Sequence, residues 1–500
     1  MLISVFKTVD IKIGIQYNRK NDRNQLSAED VGSFLLFERF YFDETVMLMT
    51  KRKFSLSTTQ IIMLSFLGLI LLGSILLSLP ISAADGRPVP YLDALFTATT
   101  STCVTGLVTL PTVSTWSVFG QAVILVLIQI GGLGVITIIS AVMILLNMRM
   151  GIGNRLLLQD AFNLTSLSGI VQFVKRVMQG TFLVEGIGAL LYMLVFVPEY
   201  GAKGIWISVF TSISAFCNAG IDILGENSLC DYATNPLINF VTGMLIILGG
   251  IGYIVWWDVL QVGKTAPGRH RKIFRSLTLH SKIAIVTTLV LTFGGGLLIF
   301  LFEYNNPLTI GSLPLMDKIQ VSLFQSITTR TAGFATVGQQ DLTNASSLLC
   351  LLLMFIGGSP VGTAGGVKTV TIAVLTVSAL ASIQNKNDVT LFHRNISKQA
   401  VSRAASVIAM SFGIMFLSTL LLSAVTDADA LDILYETVSA TATVGLTRNL
   451  TAQLNMTGKL IIIATMYLGR VGPISLALAL NSNNKKTNII SNPTEEISVG

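Results

Sequence analysis

Four short glycine-ended runs recur along the chain at almost equal intervals. Thr102-Cys103-Val104-Thr105-Gly106 is the first. Phe216-Cys217-Asn218-Ala219-Gly220, Arg330-Thr331-Ala332-Gly333-Phe334 and Thr441-Ala442-Thr443-Val444-Gly445 follow. Their glycines lie 114, 113 and 112 residues apart. Each run follows a semi-apolar stretch of about ten residues, too short to cross a bilayer. Two long apolar stretches flank each of these units. A unit of long apolar, short apolar, glycine loop and long apolar, written four times, is one module repeated. It reads as a pore with four non-identical walls.

The long stretches decide the solvent. Apolar segments fall at 56–79, 117–147, 171–197, 236–260, 279–302, 346–380, 404–425 and 458–480, and the short ones at 91–101, 205–216, 316–328 and 430–441. Only 12% of the residues are charged, about half the share of a soluble domain. The expectation is an all-α membrane protein with eight transmembrane helices, in four membrane-pore-membrane repeats around one pseudo-fourfold pore. Residues 51–160, 161–275, 276–395 and 396–482 would be the four repeats. Residues 1–50 would be an N-terminal cytoplasmic extension, with Met47 and Met49 as alternative starts, and 483–500 a C-terminal cytoplasmic tail.

A net charge of +7 suggests nucleic acid in a soluble protein. Here Lys and Arg gather in alternate loops, at Lys51-Arg52-Lys53, Arg149 to Arg176, Lys264 to Lys282, Lys386 to Arg403 and Lys485-Lys486. That alternation is a topology signal: it places both termini in the cytoplasm and all four glycine runs outside, in a multi-pass cell-membrane protein with no nucleic-acid partner. The opposite loops carry Asp85, Asp93, Asp222, Glu226, Asp231, Asp317, Asp341, Asp427, Asp429, Asp432 and Glu436. These read either as solvated loop residues or as an acidic vestibule that concentrates cations. Asp93, Asp317 and Asp432 also stand where they could cap short helices.

A half-span helix that enters and stops must return as irregular backbone, which a membrane tolerates only around a cavity or inside protein. A bare alkali cation needs oxygens to replace its hydration shell, and a ring of backbone carbonyls supplies them. Aligned carbonyls require dihedrals that glycine adopts without Cβ strain. Thr443-Val444-Gly445 matches the start of the potassium-channel filter sequence. The short helices would also aim their partly negative C-terminal ends at the centre. The filter residues are therefore Thr102, Cys103, Val104, Thr105 and Gly106; Cys217, Asn218, Ala219 and Gly220; Thr331, Ala332 and Gly333; and Thr443, Val444 and Gly445. An alkali cation is the ion they would bind.

Two further features lie below the filter. The sixth apolar segment is interrupted by Gly357-Gly358-Ser359-Pro360-Val361-Gly362-Thr363-Ala364-Gly365-Gly366-Val367-Lys368-Thr369. Proline and five glycines break a helix, and a break at membrane depth must face a cavity. Arg470 stands inside the last span, where a charge is costly and turns to protein or water. It reads as an electrostatic barrier to cations, or alternatively as half of an ion pair with Glu185. Gly131-Gly132-Leu133-Gly134 and Gly249-Gly250-Ile251-Gly252 read as close helix packing.

Other chemistries lack their residues. Cys103, Cys217, Cys230 and Cys350 form no CxxC pair, and with three histidines they suggest neither a zinc site nor a disulfide framework. There is no clustered catalytic constellation, so the chain is not read as an enzyme. No nucleotide-binding glycine fingerprint is present, so no cofactor is expected in this chain.

From about 51 to 482 the sequence resembles the ion-translocating subunit of the Trk/Ktr/HKT superfamily of potassium transporters, nearest its KtrB-type branch. The resemblance rests on the four runs ending in Gly106, Gly220, Gly333 and Gly445, with eight spans rather than the additional two usual in TrkH-type members. It implies potassium selectivity, because some sodium-preferring relatives carry serine at the place of Gly106. It implies a mobile intramembrane gate made of Gly357, Gly358, Ser359, Pro360, Gly362, Thr363, Ala364, Gly365, Gly366 and Lys368, with Arg470 in the pore beneath the filter. It further implies a homodimer on a cytoplasmic KtrA-like RCK ring that binds ATP or ADP. The basic loops at 261–282 and 386–403 could dock that ring or contact membrane lipid. A sodium-selective or weakly selective member of the same superfamily stays an open alternative, as do sodium as a stimulating or symported ion and a secondary transporter of another class.

Overall fold

The computed structural model describes residues 57–146, 151–161, 169–225, 227–265, 274–386 and 388–472. These all belong to a unit that begins at Ser57. The N-terminal extension, the C-terminal tail, Glu226, Arg149, Arg269, Arg271 and Lys272 lie outside the described residues.

Each repeat opens with a long apolar helix: α1 (Thr58–Leu77), α6 (Ile170–Tyr200), α10 (Leu279–Glu303) and α14 (Lys398–Ser423). A short helix follows each: α2 (Tyr91–Cys103), α7 (Lys203–Cys217), α11 (Leu315–Thr328) and α15 (Ala430–Ala442). The return leg is α3 (Val118–Leu133) with α4 (Val135–Leu145) in the first repeat and α8 (Pro236–Gly250) with α9 (Tyr253–Thr265) in the second. In the third it is α12 (Asn344–Phe355) and α13 (Thr369–Ile383), and in the fourth α16 (Met456–Val471). The helix α5 (Ile152–Ala161) and a small antiparallel pair, β1 (Thr390–Leu391) with β2 (Arg394–Asn395), lie in the connections.

Among the described residues four helices are long and apolar enough to cross a membrane, and the count reaches six if each bent pair is one span, against the eight transmembrane helices expected. The predicted spans at 117–147 and 236–260 are pairs bent by 96° and 95°. The break in the first falls at Gly134, with φ 88° and ψ 133°, and Gly252 holds φ 92° in the second. Gly472 ends α16 with φ 87°. Only a residue without Cβ adopts these dihedrals without strain, so three return legs stop being helical at a glycine, while α12 in the third ends at Phe355, just before Gly357. The glycines read as packing residues therefore also break helices.

The packing order closes a ring. Each long helix packs on the short helix that follows it: α1 on α2, α6 on α7, α10 on α11 and α14 on α15. Each return helix packs on the short helix of the next repeat: α3 on α7, α8 on α11, α12 on α15 and α16 back on α2. The outside is apolar. Leu71, Leu72 and Ile75 of α1, Leu183, Ile187 and Leu190 of α6, Val290, Phe293 and Leu297 of α10, and Phe416, Leu417 and Leu420 of α14 are all exposed. The interior holds hydroxyls, including Thr97, Thr99, Thr100, Ser101 and Thr102 in one short helix. Many return their proton to the carbonyl four residues back, as Thr99 does to Leu95 (2.7 Å) and Ser101 to Thr97 (2.6 Å). A polar inside and apolar outside suit lipid as the surrounding medium.

Candidate functional site

The four short helices converge at their C-termini, and each chain then turns through the same dihedrals. The residue two before each glycine is left-handed: Val104 (φ 56°), Asn218 (59°), Thr331 (71°) and Thr443 (52°). The glycines are too: Gly106 (96°), Gly220 (63°), Gly333 (84°) and Gly445 (98°). A Cβ on Gly106 would lie 2.5 Å from the Ala219 carbonyl oxygen, one on Gly220 2.5 Å from that of Ala332, and one on Gly333 2.5 Å from that of Val444. One on Gly445 would meet the Thr105 carbonyl oxygen. First touches second, second third, third fourth and fourth first. Four glycines and the carbonyls of Thr105, Ala219, Ala332 and Val444 thus form a closed ring with no room for side chains.

The loops are held from behind by hydroxyls that the sequence reading did not single out. The Gly106 amide donates to Thr100 Oγ1 (3.0 Å), the Ile221 amide to Ser214 Oγ (3.1 Å) and the Gly445 amide to Ser439 Oγ (3.0 Å). In the third repeat Thr328 Oγ1 donates to the Phe334 carbonyl at 2.6 Å. The carbonyls of the same residues cap the loops, accepting from the amides of Thr105, Ala219 and Val444 at 2.8 Å. The signal was available as a Ser or Thr five or six residues before every run glycine.

A second tether ties the far side of two loops. Thr109 Oγ1 donates to Asp93 at 3.0 Å, and Lys459 Nζ pairs with the same carboxylate at 2.5 Å. In the fourth repeat Arg448 pairs with Asp432 at 2.6 Å. Glu436 is fully buried and accepts from Thr447 and Thr451. These acids do not act as helix caps: the short helices begin after Pro90, Ala202, Pro314 and Asp429, with no side-chain cap bond. Of the acidic residues named above, Asp222 and Asp341 line a cavity shared with the ring glycines.

The ring separates two cavities. One, called outer after the expected topology, has about 500 Å³ and is lined by all four ring glycines together with Thr109, Asp222, Asp341 and Thr447. The inner one, of about 330 Å³, is lined by Gly131 to Thr137, Thr441, Ala442, Arg470 and the glycine-rich loop from Val361 to Lys368. The thiols of Cys103 and Cys217 are buried away from both: Cys103 packs with Leu107 and Leu450, and Cys217 lies against Gly132.

The glycine-rich loop crosses beneath the ring and leans on the broken second repeat. Breaking α8 frees the carbonyls of Gly249 and Gly250, which accept from the Thr363 and Ser359 amides at 3.1 and 2.8 Å. Gly252 lies against Pro360, and the Tyr253 amide donates to Val361 (3.0 Å). Thr363 Oγ1 donates to the Phe216 carbonyl at 3.0 Å, at the start of the second run. Gly357 packs on Gly365 and Gly366, and Gly358 on Ala364. The Gly357 amide donates to Val367 (3.0 Å), folding the loop on itself, while Gly362 packs on Gly249 and Gly250. Lys368 Nζ donates to the Ala364 carbonyl at 2.6 Å.

Among the described residues Arg470 meets no carboxylate. Its Nη1 donates to the Thr363 carbonyl (2.7 Å) and its Nη2 to Gly131 (2.5 Å) and Gly132 (3.3 Å). The alternative partner, Glu185, instead accepts from Gln129 at 3.1 and 3.2 Å. Arg470 also lines the inner cavity.

The model of the TrkH family, described as cation transport protein, matches residues 44–488. The chain belongs to the TrkH family. Among curated relatives of this TrkH-family chain, the potassium/sodium uptake protein NtpJ of Enterococcus hirae is 37% identical over 91% of this chain and 100% of its own length. Ktr system potassium uptake protein B of Bacillus subtilis is 37% identical over 86% of this chain and 94% of its own. The crystal structure of the potassium transporter TrkH from Vibrio parahaemolyticus superposes with TM-score 0.67 at 19% identity, covering 86% of each chain, and so shares the fold. TrkH-family members are transporters, not enzymes.

Proposed function

We propose that the protein takes up potassium across the cell membrane through the ring formed by Thr105, Ala219, Ala332 and Val444 with their glycines. The observation that carries this reading is the closed contact cycle from Gly106 through Gly220, Gly333 and Gly445, set between two cavities. The ring carbonyls, each set between a left-handed residue and a left-handed glycine, offer a dehydrated cation the oxygens it needs. Four helix C-termini add partial negative charge. The printed names of the two 37% relatives, a potassium/sodium and a potassium uptake protein, support the same ion class.

In this reading the loop from Gly357 to Lys368 is the gate and Arg470 the barrier behind it. A cytoplasmic RCK ring carrying ATP or ADP moves the gate, and two copies of the chain form the membrane unit. The glycine runs face outward and both termini face the cytoplasm.

The experiment is potassium uptake in a bacterium stripped of its own potassium systems, with and without external sodium, and with and without a co-expressed ring subunit. Uptake that exceeds the empty-vector control supports the reading. A rise with sodium selects sodium-stimulated transport. No uptake under any of these conditions contradicts it.

A further inference from the structure

We infer that Arg330, in the wall behind the third loop, sets how tightly the ring holds a cation: its buried charge repels the ion through space, weakens binding and speeds release. The inference rests on the potassium reading above and concerns a side chain that does not touch the ion.

The place three residues before each ring glycine is held by Cys103, Cys217, Arg330 and Ala442. Only the third repeat puts a cationic side chain there. Arg330 is 6% exposed. Its Nη2 donates to Thr292 Oγ1 of α10 at 2.7 Å, and its buried Nε has no hydrogen-bond partner. Among the described residues the ion pairs are Arg448 with Asp432 and Lys459 with Asp93, so no carboxylate neutralises it.

The guanidinium lies in a dry wall. Thr292 is buried, while its neighbours Val290 and Phe293 on the same helix are exposed. A guanidinium keeps its charge in proteins, and removing it from water with only a neutral partner is strongly penalised. Anchoring the loop does not require that charge. Ser326 Oγ already fastens the third short helix to α10 through the Thr292 carbonyl (2.9 Å). Ser212 Oγ fastens the second to α6 in the same way, through the Glu185 carbonyl (2.7 Å).

That likeness makes Thr292 the counterpart of Glu185. Each stands three residues before a glycine, Gly295 or Gly188, that packs on the anchoring serine. The second repeat therefore sets a carboxylate in the wall near a cysteine, with Glu185 4.0 Å from Cys217 Sγ. The third sets an arginine against a neutral hydroxyl, and its charge goes unopposed. Two peptide units, at most about 7.6 Å between Cα atoms, separate Arg330 from Ala332 of the ring. A unit charge about 12 Å from a cation changes its occupancy about tenfold at an effective dielectric of ~20. Salt screens such a buried charge little.

The test is potassium and sodium flux into liposomes holding the purified full-length chain, read as half-saturating concentration and maximal rate. The field acts on both ions alike. Arg330→Met should therefore lower both half-saturating concentrations about tenfold, leave their ratio unchanged and reduce the maximal rate. Thr292→Glu should do the same, because it neutralises the guanidinium without removing it. Arg330→Lys and Thr292→Val keep the charge and should stay within about twofold of wild type. If Arg330→Met does not fold, Thr292→Glu against Thr292→Val decides the matter. Unchanged half-saturation in Arg330→Met or in Thr292→Glu overturns the inference. So does an equal shift in Thr292→Val, which makes the contact a structural link alone, or an altered potassium-to-sodium ratio, which places the effect in the shape of the ring. These results leave the potassium reading standing, whereas no potassium flux in wild type overturns both.

Discussion

The Arg470 guanidinium lies 2.7 Å from the Thr363 carbonyl oxygen, joining the last helix to the middle of the gate loop. The same side chain donates to Gly131 in the first repeat. On the proposed reading it both obstructs a cation and holds the loop in the crossing position. A guanidinium about 8 Å from a passing cation repels it by about 2 kcal/mol at an effective dielectric of ~20, or about thirtyfold in occupancy. Arg470→Ala should raise the maximal rate of potassium flux by about tenfold or more and weaken its control by a ring subunit. Arg470→Lys keeps the charge but cannot reach both carbonyls with one planar fork, and it should fall between. Unchanged flux in Arg470→Ala at equal expression contradicts the barrier role.

Thr100 and Ser439 support the first and fourth loops through equivalent bonds to the amides of Gly106 and Gly445. Thr100→Val should cost about 1 kcal/mol of stability and loosen the ring. The measurement is the ratio of potassium to sodium flux, which should fall in Thr100→Val and in Ser439→Ala. A stability loss with an unchanged ratio would make the hydroxyls scaffolding alone.

Burial pushes the Asp222 carboxyl up to about 6, against smaller opposing effects of its hydrogen bonds. Its ionised form is disfavoured in the folded protein above that value, and the penalty is relieved as pH falls from about 6 toward its unfolded value near 4. Acidification therefore removes a negative charge from the outer cavity without unfolding the loop. Uptake at low external potassium should decline as the external pH falls through about 6. Asp222→Asn should have lower uptake at pH 7 and a flatter profile. The profile of the variant, compared with wild type at equal expression, checks this.

The architecture was legible because its signal is repetitive. Four runs with glycines at near-equal spacing announced four equivalent loops, and the basic loops gave an alternation that a single span could not. The helix breaks were less visible: Gly131-Gly132-Leu133-Gly134 looks the same in sequence whether it packs a helix closely or bends it. The 96° bend after Leu133 arises from Gly134 alone adopting φ 88°, while Gly131 meets the Thr102 carbonyl and so does serve packing. Thr100, Ser214, Thr328 and Ser439 escaped because hydroxyls are common in these short helices and only the fold brings one to each loop amide or carbonyl. The partners of Arg470 were hidden for a different reason. Backbone carbonyls leave no mark in a sequence, so Glu185 was the visible candidate although it bonds Gln129.

The most direct test of the central claim is ion flux through the purified chain in liposomes, potassium against sodium, for wild type and Gly106→Ser. The serine Cβ must occupy a left-handed backbone 2.5 Å from the Ala219 oxygen, so the variant opens or distorts the carbonyl ring at one corner. The account predicts flux that favours potassium in wild type and loses that preference in the variant. Equal potassium and sodium flux in wild type, or an unaltered preference in Gly106→Ser, would contradict a potassium filter built on this ring.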